Sequence, residues 1–248
     1  LRGQVVGINS QIYSRSGGFM GISFAIPIDV AMNVAEQLKA TGRVQRGQLG
    51  VMIQEVSYNL AKSFGLDKPT GALISKVMPD SPAAKAGLQV GDIIRSVNGE
   101  EVRSSGDLPL TIGSIAPGKD VQLGIWRKGE QLNLTVTLAQ QDSAVAENEH
   151  SRADSAEADN DASFTLPDAG LGLVLQTGAS GESSLVVTRA TGAAARAGLW
   201  RGDVIVEVGG VRVNSQESLA AAFKQAGNQI PLLVQRGGNS LFLALMLP

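Results

Sequence analysis

Alternating apolar and polar positions run along much of the chain and predict short strands. Residues 121–126 and 131–138 alternate on either side of Lys128-Gly129, as expected for an antiparallel hairpin. Asn98-Gly99, which follows another apolar run, is a strong signal for a two-residue hairpin turn. The pattern therefore predicts a mainly β fold in which helices are short.

Helical periodicity replaces this alternation in a few places. The segment PIDVAMNVAEQLKATGR has a proline near its start and Gly42 at its end, and its apolar residues are spaced by three and four. This stripe consists of Ala31, Val34, Ala35 and Leu38. Leu108, Ile112 and Ile115 repeat the helical spacing later in the chain. We therefore expect α+β architecture dominated by strands.

The sequence contains an internal repeat. Residues 81–108 and 192–219 align at a constant offset, and each copy has an alanine-rich stretch followed by Gly-Leu and later by Gly-Asp. Gly87 and Gly198 stand where a short helix would end in the left-handed conformation. The spacing is too long for a solenoid, so it predicts a duplicated domain.

The segment between the two copies has a different composition. From Asp142 to Asp161 it contains seven acidic residues and one arginine, with almost no large apolar side chain. Such a segment cannot bury enough surface to fold by itself, so we expect a flexible acidic tether between two independently tumbling domains. The predicted divisions are 1–42, 43–140, 141–165 (linker) and 166–248, and the first is too small for its own core.

Composition excludes several classes of function. The chain has no cysteine, which excludes disulfides, thiolate metal sites and cysteine nucleophiles. Its net charge is −2 and it has no basic tract, so we expect no nucleic-acid partner. No uncharged apolar run approaches the ~20 residues of a spanning helix, and no motif predicts a metal or a cofactor.

At this point the residues resemble a known family. AAKAGLQVGDIIRSVNG together with RGQLGV resembles the PDZ domains of HtrA (Do-type, DegP-like) periplasmic serine endoproteases, and GQVVGINSQIY and GGFMGISFAIPIDVAMNV resemble that family's junction between protease and PDZ domains. The resemblance is closest to the MucD-like branch. It implies two PDZ domains preceded by the last strands and helix of a trypsin-like β-barrel, and a trimeric periplasmic parent that degrades misfolded polypeptides.

The same resemblance implies that the catalytic triad is missing from this chain. The family's GNSGG nucleophile, its histidine and its aspartate all precede the strand that resembles LRGQVVGIN. The sole histidine, His150, lies in the acidic segment, and Ser16 lacks the glycine that the motif requires two positions earlier, where Ser14 stands. We therefore expect no peptidase activity from the chain alone. A non-enzymatic tandem-PDZ scaffold is the alternative.

Candidate binding residues also follow from the resemblance. In PDZ domains a peptide adds a strand to a sheet edge while backbone N–H groups hold its terminal carboxylate. In the first domain the matching positions are Arg46, Gln48, Leu49, Gly50, Val51, Met52, Ile53, Leu108 and Ile112. In the second domain they are Gly170, Leu171, Gly172, Leu173, Leu219 and Phe223. Phe19 and Met20 correspond to residues beside the protease S1 pocket, although hairpin packing explains them equally well.

Overall fold

The computed structural model describes residues 3–13, 18–140, 163–166, 169–177 and 183–247. Strands outnumber helices, which confirms the predicted mainly β fold with short helices. The helices are α1 (Ile28–Thr41), α2 (Tyr58–Ser63), α3 (Pro82–Lys85), α4 (Asp107–Ser114), α5 (Gly192–Arg196) and α6 (Gln216–Gln225). The strands are β1 (Gly7–Ile12), β2 (Ser23–Pro27), β3 (Gly47–Gln48), β4 (Val51–Glu55), β5 (Ala72–Val77), β6 (Ile93–Val97), β7 (Glu100–Glu101), β8 (Asp120–Arg127), β9 (Glu130–Thr137), β10 (Ala139–Gln140), β11 (Ser163–Leu166), β12 (Leu171–Thr177), β13 (Ser183–Ala190), β14 (Val204–Val208), β15 (Val211–Arg212), β16 (Gln229–Arg236) and β17 (Asn239–Met246).

The first domain comprises β3 to β10 with α2, α3 and α4. Its main sheet has the order β4-β5-β6-β8-β9, so β4 lies at an edge. Asn98 and Gly99, which link β6 to β7, both have positive φ, and Lys128 and Gly129 repeat this between β8 and β9. Both predicted two-residue turns are therefore confirmed, because positive φ at both central positions matches the twist of the flanking strands.

The second domain comprises β11 to β17 with α5 and α6. Its sheet follows the order β11-β12-β13-β14-β16-β17. Strand β11 begins at Ser163, within the range that the sequence predicted as linker. The rest of the predicted tether, residues 141–162, lies outside the described residues.

The same buried ion pair occurs in both domains. Asp92 and Asp203 are each 1 % exposed, and Arg127 and Arg236 approach them through two hydrogen bonds of 2.7 Å each. Each arginine also donates to the carbonyl of the glycine that ends the preceding short helix. Arg127 donates to Gly87, and Arg236 donates to Gly198. The pair thus fastens the helix end and the Gly-Asp turn to the last hairpin of each domain.

Opposing influences act on the Asp203 carboxyl. Burial works to raise its pKa, but hydrogen bonds from Arg236 and from the Trp200 N–H outweigh burial and hold the pKa of Asp203 below its ordinary value. The guanidinium pKa of Arg236 is raised in turn by its hydrogen bond to Asp203. Arg236 also lies 4.3 Å from the centre of the Trp200 ring, a cation–π contact.

Residues before the first domain form an exposed hairpin and helix. Within the ranges that the structure describes, strands β1 and β2 pair with each other alone, and α1 has no buried residue. Gly42 ends α1 in the left-handed conformation, as predicted. Several large apolar side chains of the hairpin face solvent, namely Ile8, Ile12, Phe24 and Ile26. Among the described residues, no helix combines the length and the apolar character needed to cross a bilayer.

The two domains contact each other through an apolar interface. Phe242 of β17 packs edge-on against Phe64, with ring centres 5.4 Å apart. Leu233 and Phe242 of the second domain are buried in one cluster with first-domain residues that include Leu60 and Leu73. The prediction of independently tumbling domains is therefore wrong, because apolar surface that looked like ordinary core in the sequence is shared between the domains.

Gln54 forms two hydrogen bonds across this interface. Its side-chain amide donates to the Phe242 carbonyl at 3.1 Å, and its side-chain oxygen accepts from the Phe242 N–H at 2.6 Å. Strand β17 pairs with β16 on its other side, so this amide completes the bonding of the outer edge of β17 at Phe242. A side chain of β4 thereby satisfies backbone groups of the second domain.

Replacing Gln54 with alanine is expected to weaken docking of the two domains by about 1–2 kcal/mol, since two hydrogen bonds are lost. Amide ¹⁵N relaxation should then give shorter rotational correlation times for each domain than in the wild type. Gln122→Ala, at an exposed position of β8, is the control and should change nothing. Unchanged correlation times in the Gln54 variant would show that the amide contributes nothing to docking.

Candidate functional site

The loop that leads into β4 turns its backbone N–H groups away from α3. The carbonyls of Leu49 and Gly50 accept hydrogen bonds from the N–H groups of Ala83 and Met78 at 2.9 Å each. In a planar trans peptide the N–H points opposite to the carbonyl, so the N–H groups of Gly50 and Val51 point the other way. Two adjacent donors thus face the side on which Gly50 and Val51 border a cavity.

Gly50 makes this geometry possible. Its φ is +77°, a region that L side chains rarely adopt, and a Cβ built there would collide with the Ser81 side chain. Ser81 is itself held in place, because its hydroxyl accepts from the Ala84 N–H as the cap of α3 and donates to the Met78 carbonyl. The close approach of loop and helix therefore requires glycine.

A cavity of about 650 Å³ extends from this loop between β4 and α4. The structure brings most of the predicted first-domain residues together around it: Arg46, Gln48, Leu49, Gly50, Val51, Ile53, Leu108 and Ile112. Met52 is the exception, since its side chain does not line the cavity, as strand alternation requires. Leu49, Leu108 and Ile112 also belong to the buried core, so the same side chains serve packing and the cavity wall.

Helix α1 supplies a wall that sequence reasoning missed. Asp29, Asn33 and Gln37 line the same cavity, together with Val30 and Val34. The Gln37 side-chain oxygen accepts from the Gln45 N–H at 2.8 Å, which ties α1 to the segment that enters the loop. The apolar stripe of α1 was visible in the sequence, but nothing there indicated that this helix would lie beside the groove.

Two side chains of opposite charge border the cavity. Arg46 and Asp29 both line it, and neither takes part in an ion pair within the part of the chain that the structure describes. The exposed Arg46 precedes the loop by a few residues and adds positive charge beside the two N–H donors. This combination of donors, a cation and an apolar wall suits a short peptide with a free carboxylate.

The corresponding loop of the second domain contains Gly170, one of the predicted positions. Gly170 has φ +70°, and its carbonyl accepts from the Thr191 N–H, while the Ala169 carbonyl accepts from Ala194. Gly170 is therefore the structural counterpart of Gly50, since a left-handed glycine and its carbonyl contacts define the loop in both domains. Gly172 lies two residues further on, within β12, where it is opposite Arg189.

The remaining second-domain candidates fall on the core side of that groove. Leu171, Leu173 and Leu219 are fully buried in one cluster, and Phe223 packs against it partly buried. Arg46 precedes the first loop, whereas strand β11 precedes the second loop. Strand β11 pairs with β12 along its outer edge. The second groove therefore differs from the first at its open edge.

The other singled-out residues do not join either groove. Phe19 and Met20 are exposed in the connection between β1 and β2. Ser16 and His150 lie outside the described residues. Within the ranges that the structure describes, no cluster of three metal-binding side chains occurs.

Comparison with known proteins agrees with this geometry. Residues 47–138 match one PDZ domain family, and residues 186–236 match another family that is also described as PDZ domain. The first match spans β3 to β9 and therefore contains the whole loop and α4. The second match begins within β13, so the region of β11 and β12 lies outside it.

Curated relatives share one description, "Probable periplasmic serine endoprotease DegP-like". The relative from Halomonas elongata is 45% identical over 258 residues, which covers 100% of this chain and 52% of the relative. The relative from Marinomonas sp. is 43% identical over 245 residues, which covers 98% of this chain and 51% of the relative. The chain thus spans about half the length of the curated relatives it matches.

A solved structure described as "HtrA-type protease AlgW with tripeptide" is also similar. It is 34% identical, covers 56% of this chain and 46% of its own, and superposes with a TM-score of 0.49.

Proposed function

We propose that this chain, which is related to the DegP-like serine endoproteases and carries two PDZ domains, binds the C-terminal segments of unfolded polypeptides in the groove between β4 and α4. The bound segment adds a strand antiparallel to β4. Its terminal carboxylate accepts hydrogen bonds from the N–H groups of Gly50 and Val51, and its last side chain enters the apolar cavity beside Leu108 and Ile112.

The single observation that carries this proposal is the orientation of the loop. Both carbonyls of the loop are bound to the neighbouring turn and to α3, so both N–H groups are presented to the cavity. Among the described residues, strand β4 pairs with β5 alone, and its other edge borders the same cavity. A peptide strand therefore finds an open edge and a carboxylate site in line with each other.

The rest of the proposal concerns the whole protein. We propose that the whole protein is a serine endoprotease of protein quality control, in which this chain supplies recognition and assembly surfaces. The relatives' shared description as periplasmic serine endoproteases supports this proposal. We propose that the exposed apolar side of β1 and β2 packs against a protease body, in a homo-oligomer such as the trimer expected for the family. The same surface argues against a free-standing tandem-PDZ scaffold, because such a protein would leave that hairpin unpartnered.

A peptide ending in valine should bind the chain more tightly as a free acid than as a C-terminal amide, by at least about tenfold. Amidation removes the charged acceptor, and hydrogen bonds to charged groups are worth about 1.5–3 kcal/mol. Titrations followed by amide chemical shifts of Val51–Glu55 test this directly. Arg46→Ala is expected to weaken binding of the free-acid peptide by only about 1 kcal/mol, because the charge of Arg46 is exposed to solvent.

The control is Arg103→Ala, an exposed arginine outside the cavity lining. It removes the same charge from the first domain and should leave the affinity unchanged. Equal affinities for the acid and the amide would rule out carboxylate recognition at Gly50 and Val51, and would indicate that the groove takes internal segments.

A further inference from the structure

The two peptide-receiving strands differ in what lies on their outer edge. In the first domain, β4 has one neighbour within the described part of the chain, namely β5. In the second domain the equivalent strand β12 has two neighbours, β13 and β11. The edge that is open in the first groove is therefore paired in the second, and the pairing segment comes from the same chain.

Strand β11 lies in the direction that a PDZ ligand takes. It is antiparallel to β12, with Leu166 opposite Leu171 and Phe164 opposite Leu173. Its C-terminal residue thus lies beside the start of β12, next to the Gly170 loop, where the end of a bound peptide would lie. The register covers β12 from Leu171 to Val174.

The side chains of β11 alternate as those of a bound peptide would. Phe164 and Leu166 are partly buried and pack against the second-domain core cluster, against which Phe223 of α6 also packs. Thr165, between them, is exposed. Directly opposite residues of an antiparallel pair share a face, so Phe164 and Leu166 are on the same face as the buried Leu173 and Leu171.

We infer that Ser163–Leu166 is a built-in ligand of the second groove, and that this groove accepts extended segments with an aromatic residue followed two positions later by leucine. The inference rests on the proposed function only in assuming that β4 and β12 are peptide-receiving strands. The second groove would therefore bind a different class of ligand from the first. Its ligand would be a segment from within a polypeptide chain that carries two apolar side chains, and no free carboxylate would be needed.

Tethering makes this ligand a strong competitor. Residues 167–170 alone separate β11 from β12, and a segment on so short a connection has an effective concentration on the order of millimolar or above. An external peptide of the same sequence can bind only to the fraction of molecules in which β11 has detached from β12. Its apparent Kd is raised by the reciprocal of that fraction.

The test uses the full chain, labelled with ¹⁵N, and the probe acetyl-Ser-Phe-Thr-Leu-amide. In the wild type, the probe should leave the amide shifts of Leu171–Gln176 unchanged at concentrations where variants respond. Phe164→Asp places a charge against the apolar cluster and should release β11. The probe should then bind at β12 with an apparent Kd at least tenfold lower than in the wild type.

Two further variants complete the design. Thr165→Asp carries the same charge on the exposed face of β11 and should leave the affinity for the probe within twofold of the wild type. Phe164→Ala removes the aromatic contact without adding charge, and should lower the apparent Kd by about three- to tenfold. If Phe164→Asp unfolds the second domain, the affinity of Phe164→Ala for the probe tests the inference instead.

Either of two results would overturn the inference. If both Phe164 variants unfold the domain, or remain folded without probe binding at β12, then β11 is an integral strand of the domain. If the wild type binds the probe at β12 as tightly as the variants do, β11 does not occupy the binding edge. Peptide binding to the first groove is measured at Val51–Glu55, so failure of the proposed function is recognised separately.

Discussion

Replacing Arg236 with leucine is expected to destabilise the second domain by about 3–5 kcal/mol. Asp203 is almost completely buried and receives two hydrogen bonds from the guanidinium. Without Arg236 the carboxylate stays buried with only the Trp200 N–H as a partner among the contacts described. The variant also loses the bond from Arg236 to the Gly198 carbonyl and the stacking on Trp200.

Urea unfolding followed by circular dichroism measures this loss. Arg103→Leu is the control, because its 3.8 Å contact with Glu101 lies on the surface and should contribute less than 1 kcal/mol. The double variant Asp203→Leu/Arg236→Leu should recover much of the lost stability, since no unpaired charge stays buried. A loss below about 1 kcal/mol in the single variant would mean that solvent reaches Asp203 after Arg236 is removed.

The buried ion pairs show what the sequence could and could not predict. The aspartates are visible in both copies of the repeat, but the Gly-Asp pattern by itself does not indicate an ion pair. Their partners Arg127 and Arg236 lie more than 30 positions later, in the last hairpin of each domain. Pairing over such a distance depends on the sheet order, which short-range patterns do not specify.

Local features were predicted well because local chemistry determines them. Asn98-Gly99 and Lys128-Gly129 form the expected turns, and Gly42 and Gly87 end the expected helices with positive φ. Most of the predicted first-domain residues also line one cavity, because the loop and the helix that carry them belong to recognisable motifs, and peptide binding there stays a prediction. Each of these turns and helix ends depends on residues within a few positions of one another.

Features that depend on distant contacts were missed. The four residues of β11 follow a long acidic stretch and are too few to stand out as a strand. Nothing in the sequence indicates that Phe64 and Phe242 meet across the two domains, because apolar character alone does not tell which domain covers a side chain. The position of α1 beside the groove depends in the same way on tertiary packing.

The grooves of the two copies of the domain differ at the strand edge. The first groove has an open strand edge and a loop with two available N–H donors. The second has the same loop geometry at Gly170 but carries its own strand on the edge. Gln54 connects the two, because it lies on the receiving strand of the first groove and binds the backbone of the second domain. The proposed peptide binding along β4 would therefore take place on a strand that also contacts the second domain.

Replacing Gly50 with alanine is expected to destabilise the first domain by about 2–5 kcal/mol and to weaken binding of the free-acid peptide by at least about tenfold. The left-handed backbone alone costs about 1–2 kcal/mol for a residue with a Cβ. The new methyl group would also meet the Ser81 side chain, and overpacking of this kind costs about 1–3 kcal/mol. Relief of the collision would move the loop, and with it the N–H groups that hold the carboxylate.

Gly118→Ala separates these two causes. Gly118 lies in the same domain with the same φ of +77°, but a Cβ there meets nothing within 4 Å. This control should therefore cost only the backbone strain of about 1–2 kcal/mol and leave peptide affinity unchanged. Urea unfolding and titration with the valine-ending peptide measure both quantities on each variant. If Gly50→Ala kept wild-type affinity, the two N–H groups would not be the carboxylate site, because the loop that presents them cannot accept a Cβ without moving.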